Sequence, residues 1–278
     1  MTNVQAQKSL CPKKVIAMTC MCADIFPSLG QIQPGGEALN FIANCCGHEH
    51  IERYIIGAIG RDAYGDRILA SIAGKDIHQE YIHREEGPTA NNVTYLTEEG
   101  DRYYKSDSWT GGVYQAFQIS EKDKELMAQA HLIHTGVTCP NFREILDFKK
   151  QHDFLLSVDF DITRDFDQWE DYLEFIDFFF ISGDDEVLEI ASALSLRFSA
   201  IFVVTLAEKG SVAFHKGRKY QTCAVPVSEV VDTTGCGDSY QAGFICEYLR
   251  SEDILKSMVK GSETASHTLS FVGGFERS

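Results

Sequence analysis

Residues 231–243 read Val-Asp-Thr-Thr-Gly-Cys-Gly-Asp-Ser-Tyr-Gln-Ala-Gly, and this stretch decides the fold. The run of valines at 225, 227, 230 and 231 predicts a strand leading into it. Gly235 and Gly237 predict a tight turn whose backbone N–H groups come close to a ligand. The helix that follows starts with free N–H groups and the positive end of its dipole, so the turn favours an anion. Asp238 either caps this helix or takes part in catalysis, and the residues alone leave both interpretations open.

Upstream of this stretch, short apolar segments alternate with segments of helical periodicity. The predicted strands are 14–19, 54–59, 132–135, 155–159, 178–181 and 201–206. The predicted helices are 38–46, 66–73, 121–130, 142–151, 169–175 and 185–193, followed by two more after the glycine turn. Repeated βα units of this length predict an α/β fold with a mostly parallel sheet and helices on both faces. Ligands of such sheets bind beyond the carboxyl ends of the strands.

One insertion interrupts this alternation. Strand-like segments at 89–97 and 102–105 are joined by Glu-Glu-Gly-Asp, which predicts an antiparallel hairpin, whereas 21–32 looks irregular. We therefore expect a single domain over residues 13–278, with a small β lid formed by about 21–34 and 88–118.

Composition excludes several classes of function. The formal charge is −16, and no basic stripe is present to bind nucleic acid. No segment reaches the roughly 20 apolar residues that span a bilayer, and residues 1–12 lack an apolar signal core. The nine cysteines lack the spaced pairs of a zinc site and favour reduced thiols. We expect a cytoplasmic protein that binds neither membrane nor nucleic acid.

Four glycine-bearing polar turns follow predicted strands. They lie at 33–40, 57–65, 205–210 and 232–238. Each turn alone is compatible with an ordinary loop, but together they are expected to line one edge of one sheet. The chain lacks the Gly-x4-Gly-Lys-Ser/Thr loop, and no Gly-x-Gly-x-x-Gly follows the first strand. P-loop enzymes and dinucleotide dehydrogenases are therefore disfavoured.

Asp232-Thr-Thr-Gly-Cys-Gly-Asp238 resembles the signature of the PfkB, or ribokinase-like, family of carbohydrate and nucleoside kinases. The Gly-Gly-x-Ala-x-Asn loop at 35–40 and Gly-x-Asp-x-x-Gly at 60–65 resemble the amino-terminal signature of that family. Residues 204–211 are similar to its nucleotide-side strand end. Within the family, residues 24–27, 35–40, 89–90 and 261–273 are most similar to the fructoselysine kinases.

The resemblance implies a role for each matching residue. Asp238 would take the proton of the acceptor hydroxyl, and the N–H groups of Gly235, Cys236 and Gly237 would stabilise the transferring phosphoryl group. The residues implied to bind the sugar are Asp24, Gly35, Gly36, Glu37, Asn40 and, from the lid, Asn92. Those implied to bind ATP are Thr205, Gly210 and Ser262, with Mg²⁺ bridging the phosphates and Asp185 acting on the metal indirectly. Relatives with β lids pair them, so a homodimer through the lid is also expected.

Several positions depart from the family pattern. Ala207 stands where glycine is usual, and Ser182-Gly-Asp-Asp185 replaces Asn-x-x-Glu. Asp161 stands where sugar kinases often have Asn, and Glu37 adds a carboxylate to the sugar loop, which favours a cationic acceptor. The sequence therefore predicts ATP-dependent phosphorylation of a small sugar, fructoselysine or another sugar amine being candidates. A nucleoside kinase and a catalytically idle sugar- or nucleotide-binding regulator remain as alternatives.

Overall fold

The computed structural model describes residues 11–97, 102–103, 105–164 and 166–277. The strands are β1 (Lys13–Ala17), β2 (Cys22–Phe26), β3 (Gln31–Gly35), β4 (Ile51–Ile55), β5 (Gly57–Gly60), β6 (Ile77–His78), β7 (Ile82–Glu85), β8 (Asn91–Val93), β9 (Tyr95–Leu96), β10 (Arg102–Tyr103), β11 (Trp109–Thr110), β12 (Leu132–Gly136), β13 (Leu155–Asp159), β14 (Phe178–Ser182), β15 (Ile201–Thr205), β16 (Ser211–His215) and β17 (Arg218–Thr222). The α-helices are α1 (Glu37–Asn44), α2 (Ala63–Ile72), α3 (Glu121–Met127), α4 (Phe142–Lys149), α5 (Asp185–Arg197), α6 (Cys236–Ser251) and α7 (Ile254–Thr268). The 3₁₀ segments are Gly112–Ala116, Asp167–Phe175 and Ala207–Lys209.

The central sheet has the strand order β17-β16-β15-β14-β13-β12-β1-β4-β6. Every pair from β6 to β15 is parallel, and β16 and β17 extend the sheet as an antiparallel edge. The predicted α/β architecture is thereby confirmed. Because the strands are parallel, their carboxyl ends meet at one edge, and the loops that follow them form one surface.

Successive side chains of a strand point to opposite faces of the central sheet, and each face is covered by its own hydrophobic core. On β14, Phe178 and Phe180 face the core that is covered by α1, α2, α6 and α7, whereas Phe179 and Ile181 face the core under α3, α4 and α5. All three phenylalanines are at most 2% exposed. Burial of each such side chain contributes about 1.5–3 kcal/mol, so the two cores fix the sheet between its helices.

A second sheet has the strand order β11-β8-β2-β3. The expectation of irregular structure at 21–32 is wrong, because β2 pairs with β3 as an antiparallel hairpin and lies parallel to β8. The predicted strand at 54–59 divides into β4 and β5, and β5 leaves the central sheet to pair with β7. Polar residues in β2 and β3 hid their pairing, since Asp24 of β2 lines a cavity and Gln33 of β3 donates to Gln31.

The predicted hairpin of the insertion is confirmed where it is described, since β9 and β10 pair antiparallel. Its Glu-Glu-Gly-Asp turn lies outside the described residues. α3 begins with a capping box, because the side chains of Ser120 and Asp123 each accept a hydrogen bond from the other's backbone N–H. Among the described residues, no helix is both long and apolar enough to cross a membrane. The cytoplasmic location stays a prediction.

The segment before the decisive turn is not a strand. β17 ends at Thr222, and the valines beyond it are exposed by 36–38%. Val231 donates its N–H to the Leu269 carbonyl beyond α7 (2.8 Å) instead of joining a strand. The β-branched residues predicted a strand here, but the segment pairs with no strand among the described residues, because strand pairing depends on long-range contacts as well as on local propensity.

Candidate active site

A cavity of about 410 Å³ opens beyond the carboxyl ends of the central strands. Asp159, Ser182 and Thr205, the last residues of β13, β14 and β15, line it from the sheet side. The second sheet contributes Asp24 and Asn92 from the opposite side. The cavity is thus placed where the topology of a parallel α/β sheet directs a ligand.

Asp232 holds the decisive turn in place. Its Oδ1 accepts a hydrogen bond from the Thr234 N–H, and its Oδ2 accepts one from the Gly273 N–H, both at 2.8 Å. The side chain of Asn44 in α1 donates to the Gly274 carbonyl at 2.9 Å. Asp232 is fully buried, both of its carboxylate oxygens bind backbone N–H groups, and it does not line the cavity. Sequence reasoning missed its structural role.

The turn itself requires glycine at position 235. Gly235 has φ +74°, and a Cβ there would lie 2.4 Å from the Gly274 Cα. α6 begins directly after it at Cys236. Gly237 faces open space, with no atom within 4 Å of an added Cβ. Gly235 and Gly237 both line the cavity, whereas the Cys236 sulfur points toward the Ala265 carbonyl of α7, 3.9 Å away.

Asp238 lies in the first turn of α6, whose N-cap is Gly235. Its Oδ2 accepts a hydrogen bond from Asn40 Nδ2 at 2.8 Å. The two side chains are 8% and 3% exposed, and both line the cavity. Gly274 packs so closely on Asn40 that a Cβ there would lie 2.3 Å from Asn40 Oδ1. Asn40 therefore positions Asp238, a role that the loop motif alone did not reveal.

Asp24 and Asn92 become neighbours through strand register. They are partners across the parallel pair of β2 and β8. Gly35 packs on Asp24, and an added Cβ would lie 2.0 Å from Asp24 Oδ2, so Gly35 supports the carboxylate without lining the cavity. Gly36 lines the cavity with φ +95°, and a Cβ there would meet the Cys20 carbonyl at 2.5 Å. All the residues implied to bind the sugar therefore line the cavity except Gly35, which lies behind the Asp24 carboxylate.

The cavity is acidic. Asp24, Glu37, Asp159, Asp161 and Asp238 all line it, and none of the described residues that line it is Lys, Arg or His. Burial, followed by the charges of Asp159 and Asp238, raises the pKa of Glu37 to about 8. Burial and then the charge of Asp238 raise the pKa of Asp159 to about 7. The cavity therefore favours a ligand that brings positive charge.

Gln241 is a cavity residue that sequence reasoning missed. Its Nε2 donates to Asp159 Oδ2 at 2.7 Å, and its buried Oε1 has no hydrogen-bond partner among the described residues. Within the same part of the chain, Asn92 Oδ1 is also buried without a partner. The sequence could have predicted this position of Gln241, because a residue one helical turn after Asp238 lies on the same face of α6. These amide oxygens are acceptors that a ligand rich in N–H or O–H groups satisfies.

Of the remaining predicted positions, only Thr205 is among the described residues that line the cavity. Of the nucleotide set, Thr205 lines the cavity, whereas Gly210 closes the turn between β15 and β16 with φ +91°, and Ser262 is buried in α7. Asp185 is exposed in the first turn of α5, whose N-cap is Asp184. No group of three or more His, Cys, Asp or Glu side chains is arranged to hold a metal within the part of the chain that the structure describes.

One of the four predicted turns has a different role. Residues 60–65 do not line the cavity; Asp62 caps α2 through the Gly65 N–H at 2.8 Å. The same carboxylate accepts hydrogen bonds from the Thr89 N–H at 2.8 Å and the Thr89 hydroxyl at 2.6 Å. The expectation that all four turns line one edge is therefore wrong. This turn anchors the chain where it enters β8.

Ala207 provides a test of local strain. Its φ is +50°, the left-handed region that disfavours residues with a Cβ. We expect Ala207→Gly to raise the free energy of unfolding by up to about 1 kcal/mol, measured by denaturant unfolding. Ala193→Gly, at an exposed position inside α5, is the matched control and is expected to lower it by about 1 kcal/mol. Equal losses from both substitutions would contradict the assignment of strain.

Comparison with known proteins gives consistent matches. The family described as "pfkB family carbohydrate kinase" matches residues 28–274. The fructoselysine 6-kinase of Shigella flexneri is 29% identical over 91% of this chain and 96% of its own. The fructosamine kinase FrlD of Bacillus subtilis (strain 168) is 27% identical over 94% and 93%. The solved structure of a probable sugar kinase from Rhizobium etli CFN 42 superimposes with a TM-score of 0.83, at 18% identity over 97% and 96%.

Proposed function

This chain belongs to the pfkB family of carbohydrate kinases, and from that premise we propose that it phosphorylates a hydroxyl group of a fructosamine, a ketose that carries an amine, with ATP as the donor. One observation carries the proposal. A carboxylate, Asp238, is held by Asn40 at the amino end of α6, inside an acidic cavity. The sugar kinases that are similar over most of the chain include a fructoselysine kinase and a fructosamine kinase.

The chemistry follows from the position of each group. The acceptor hydroxyl oxygen forms a bond to the γ-phosphorus, the bond from that phosphorus to ADP breaks, and Asp238 accepts the hydroxyl proton. General-base assistance of this kind contributes about 10²- to 10⁴-fold. The backbone N–H groups of Gly235, Cys236 and Gly237 begin α6, and their dipoles support the charge on the phosphoryl oxygens. Asp24 and Asn92 bind sugar hydroxyls across the cavity.

For the nucleotide, we assign Thr205 to a polar contact with ATP and Gly210 and Ser262 to the loop and helix that border it. Mg²⁺ supplies charge neutralisation on the phosphate oxygens. The exposed carboxylate of Asp185 is an oxygen donor of the kind that Mg²⁺ prefers. Since Mg²⁺ keeps several water ligands and uses one or two carboxylates plus phosphates, this donor set fits an indirectly held metal.

The second sheet serves as the lid in this proposal. It carries Asp24 and Asn92, and Asp62 anchors its entry at Thr89. Closure of such a lid excludes water, so that ATP is not hydrolysed in place of transfer. The exposed side chains of Tyr103 and Trp109, at 46% and 45%, support pairing of two copies through the lid.

An ADP-release assay with ATP and Mg²⁺ tests the proposal. We expect the highest kcat/KM with fructoselysine or 1-amino-1-deoxyfructose, a lower value with fructose, and the lowest with adenosine. Asp238→Asn protein, purified identically, controls for contaminating kinases. A preference for adenosine would establish the nucleoside kinase instead. Ligand-dependent thermal shifts without ADP release from any acceptor would establish a binding protein.

A further inference from the structure

We propose that Glu37 selects cationic acceptors: its carboxylate, together with Asp159 and Gln241, binds the ammonium group of the substrate. The inference rests on the proposed function and extends it from a class of substrate to the residue that distinguishes amines from neutral sugars.

The Glu37 carboxyl group is fixed at one oxygen and available at the other. Thr19 donates its hydroxyl to Glu37 Oε2 at 2.6 Å. Gly136 lies against the same oxygen, since an added Cβ would be 2.6 Å from it. Both contacts involve Oε2, which leaves Oε1 available to a ligand in the cavity that Glu37 lines. A fixed carboxylate loses little side-chain freedom when it binds, so it discriminates well between ligands.

Asp159 and Gln241 add acceptors beside Glu37. Asp159 Oδ1 accepts a hydrogen bond from the Asp161 N–H at 2.8 Å, and its Oδ2 accepts one from Gln241. Gln241 is only 4% exposed, lines the same cavity, and keeps Oε1 without a partner in the described part of the chain. An ammonium group carries two or three N–H donors and a positive charge, which matches the unpaired oxygens of Glu37 and Gln241 and the negative charge of Asp159 beside them. A hydroxyl group offers one donor and no charge.

Charge explains why the discrimination is large. Titratable groups that face Glu37 come from every surrounding element: Asp159, Asp161, Asp238, Cys20, Cys22, Tyr114 and Cys139. Burial, followed by the charges of Asp159 and Asp238 and then of Asp161, raises the pKa of Glu37 to about 8, so Glu37 holds a proton near neutral pH. The pKa values of the thiols and of Tyr114 are raised, so these groups are uncharged there. An ammonium group that binds here takes over the role of that proton, so amine binding releases it. A neutral sugar leaves the proton in place.

The substitution Glu37→Gln separates charge from shape. The amide oxygen still accepts from Thr19, but the negative charge is lost. We expect KM for 1-amino-1-deoxyfructose to rise about tenfold to a hundredfold, while KM for fructose stays the same or falls. Glu189→Gln is the matched control, because it makes the same change of carboxylate to amide at an exposed position of α5, outside the cavity. The control is expected to preserve the preference for the amine over fructose.

A second readout uses the unmodified enzyme, and it decides the matter if Glu37→Gln fails to fold. Between pH 6 and 7.5, KM for the amine is expected to fall by up to about tenfold per pH unit as Glu37 loses its proton more readily. KM for fructose is not expected to follow. An unchanged amine-to-fructose preference in Glu37→Gln, or parallel pH profiles for the two acceptors, would overturn the inference. Phosphorylation of the amine by the unmodified enzyme would still support the proposed function, so the two failures are distinguishable.

Discussion

Asp238→Asn is expected to lower kcat by about 10²- to 10⁴-fold while leaving the affinity for ATP nearly unchanged. The side chain keeps its size, and its amide oxygen still accepts the hydrogen bond from Asn40 that positions Asp238 in the native enzyme. What is lost is the carboxylate that takes the hydroxyl proton. Steady-state ADP release gives kcat, and calorimetric titration gives the dissociation constant for ATP.

The alternative role for Asp238 makes a different forecast. If Asp238 only stabilised the start of α6, its replacement would reduce the free energy of unfolding by about 1 kcal/mol and leave turnover near the native value. The two measurements therefore separate a base from a structural acid. Native turnover in Asp238→Asn would refute the assignment.

Gly235→Ala is expected to lower the free energy of unfolding by about 2–5 kcal/mol, and kcat by about 10²-fold or more in whatever protein remains folded. The new Cβ would meet the Gly274 Cα at 2.4 Å, and φ +74° is unfavourable for alanine. Relief of the clash requires the turn to move, so the N–H groups that begin α6 move away from the phosphoryl group.

Gly237→Ala is the matched control for stability. Its added Cβ has no atom within 4 Å, and the residue lies in the first turn of a helix, where alanine is favoured over glycine. We expect its free energy of unfolding to equal or exceed that of the native protein, as measured by denaturant unfolding. Equal stability for the two variants would contradict the requirement for a glycine turn at 235.

Local sequence patterns predicted the framework well. Apolar segments of strand length separated by helical periodicity specify a parallel sheet, and the motif at 232–238 lies at the start of a helix as expected. The valines before it were misleading, because β-branched residues favour extended backbone whereas pairing depends on long-range contacts. β2 and β3 were missed because Asp24 of β2 faces the cavity and Gln33 of β3 binds Gln31, so neither strand shows a simple hydrophobic alternation.

Long-range contacts decided what the motifs could not. That Asn40 holds Asp238, that Asp232 binds Gly273 and that Asp62 binds Thr89 each depend on residues 27 to 198 positions apart. No local spacing encodes such pairs. Glu37 could be predicted in part. Its unusual charge was visible in the sequence, but only the structure shows that no basic side chain lies beside it among the described residues that line the cavity.

The bond between Asp232 and Gly273, with Asn44 bound to Gly274, has a consequence for synthesis of the protein. The phosphoryl-binding turn is completed by Gly273, which the ribosome adds 41 positions after Asp232. Phe275, two residues further on, is buried in the core that α1, α2, α6 and α7 cover. A nascent chain that lacks these residues therefore lacks the support for the turn and part of a core at the same time, so both are completed together once these residues are added.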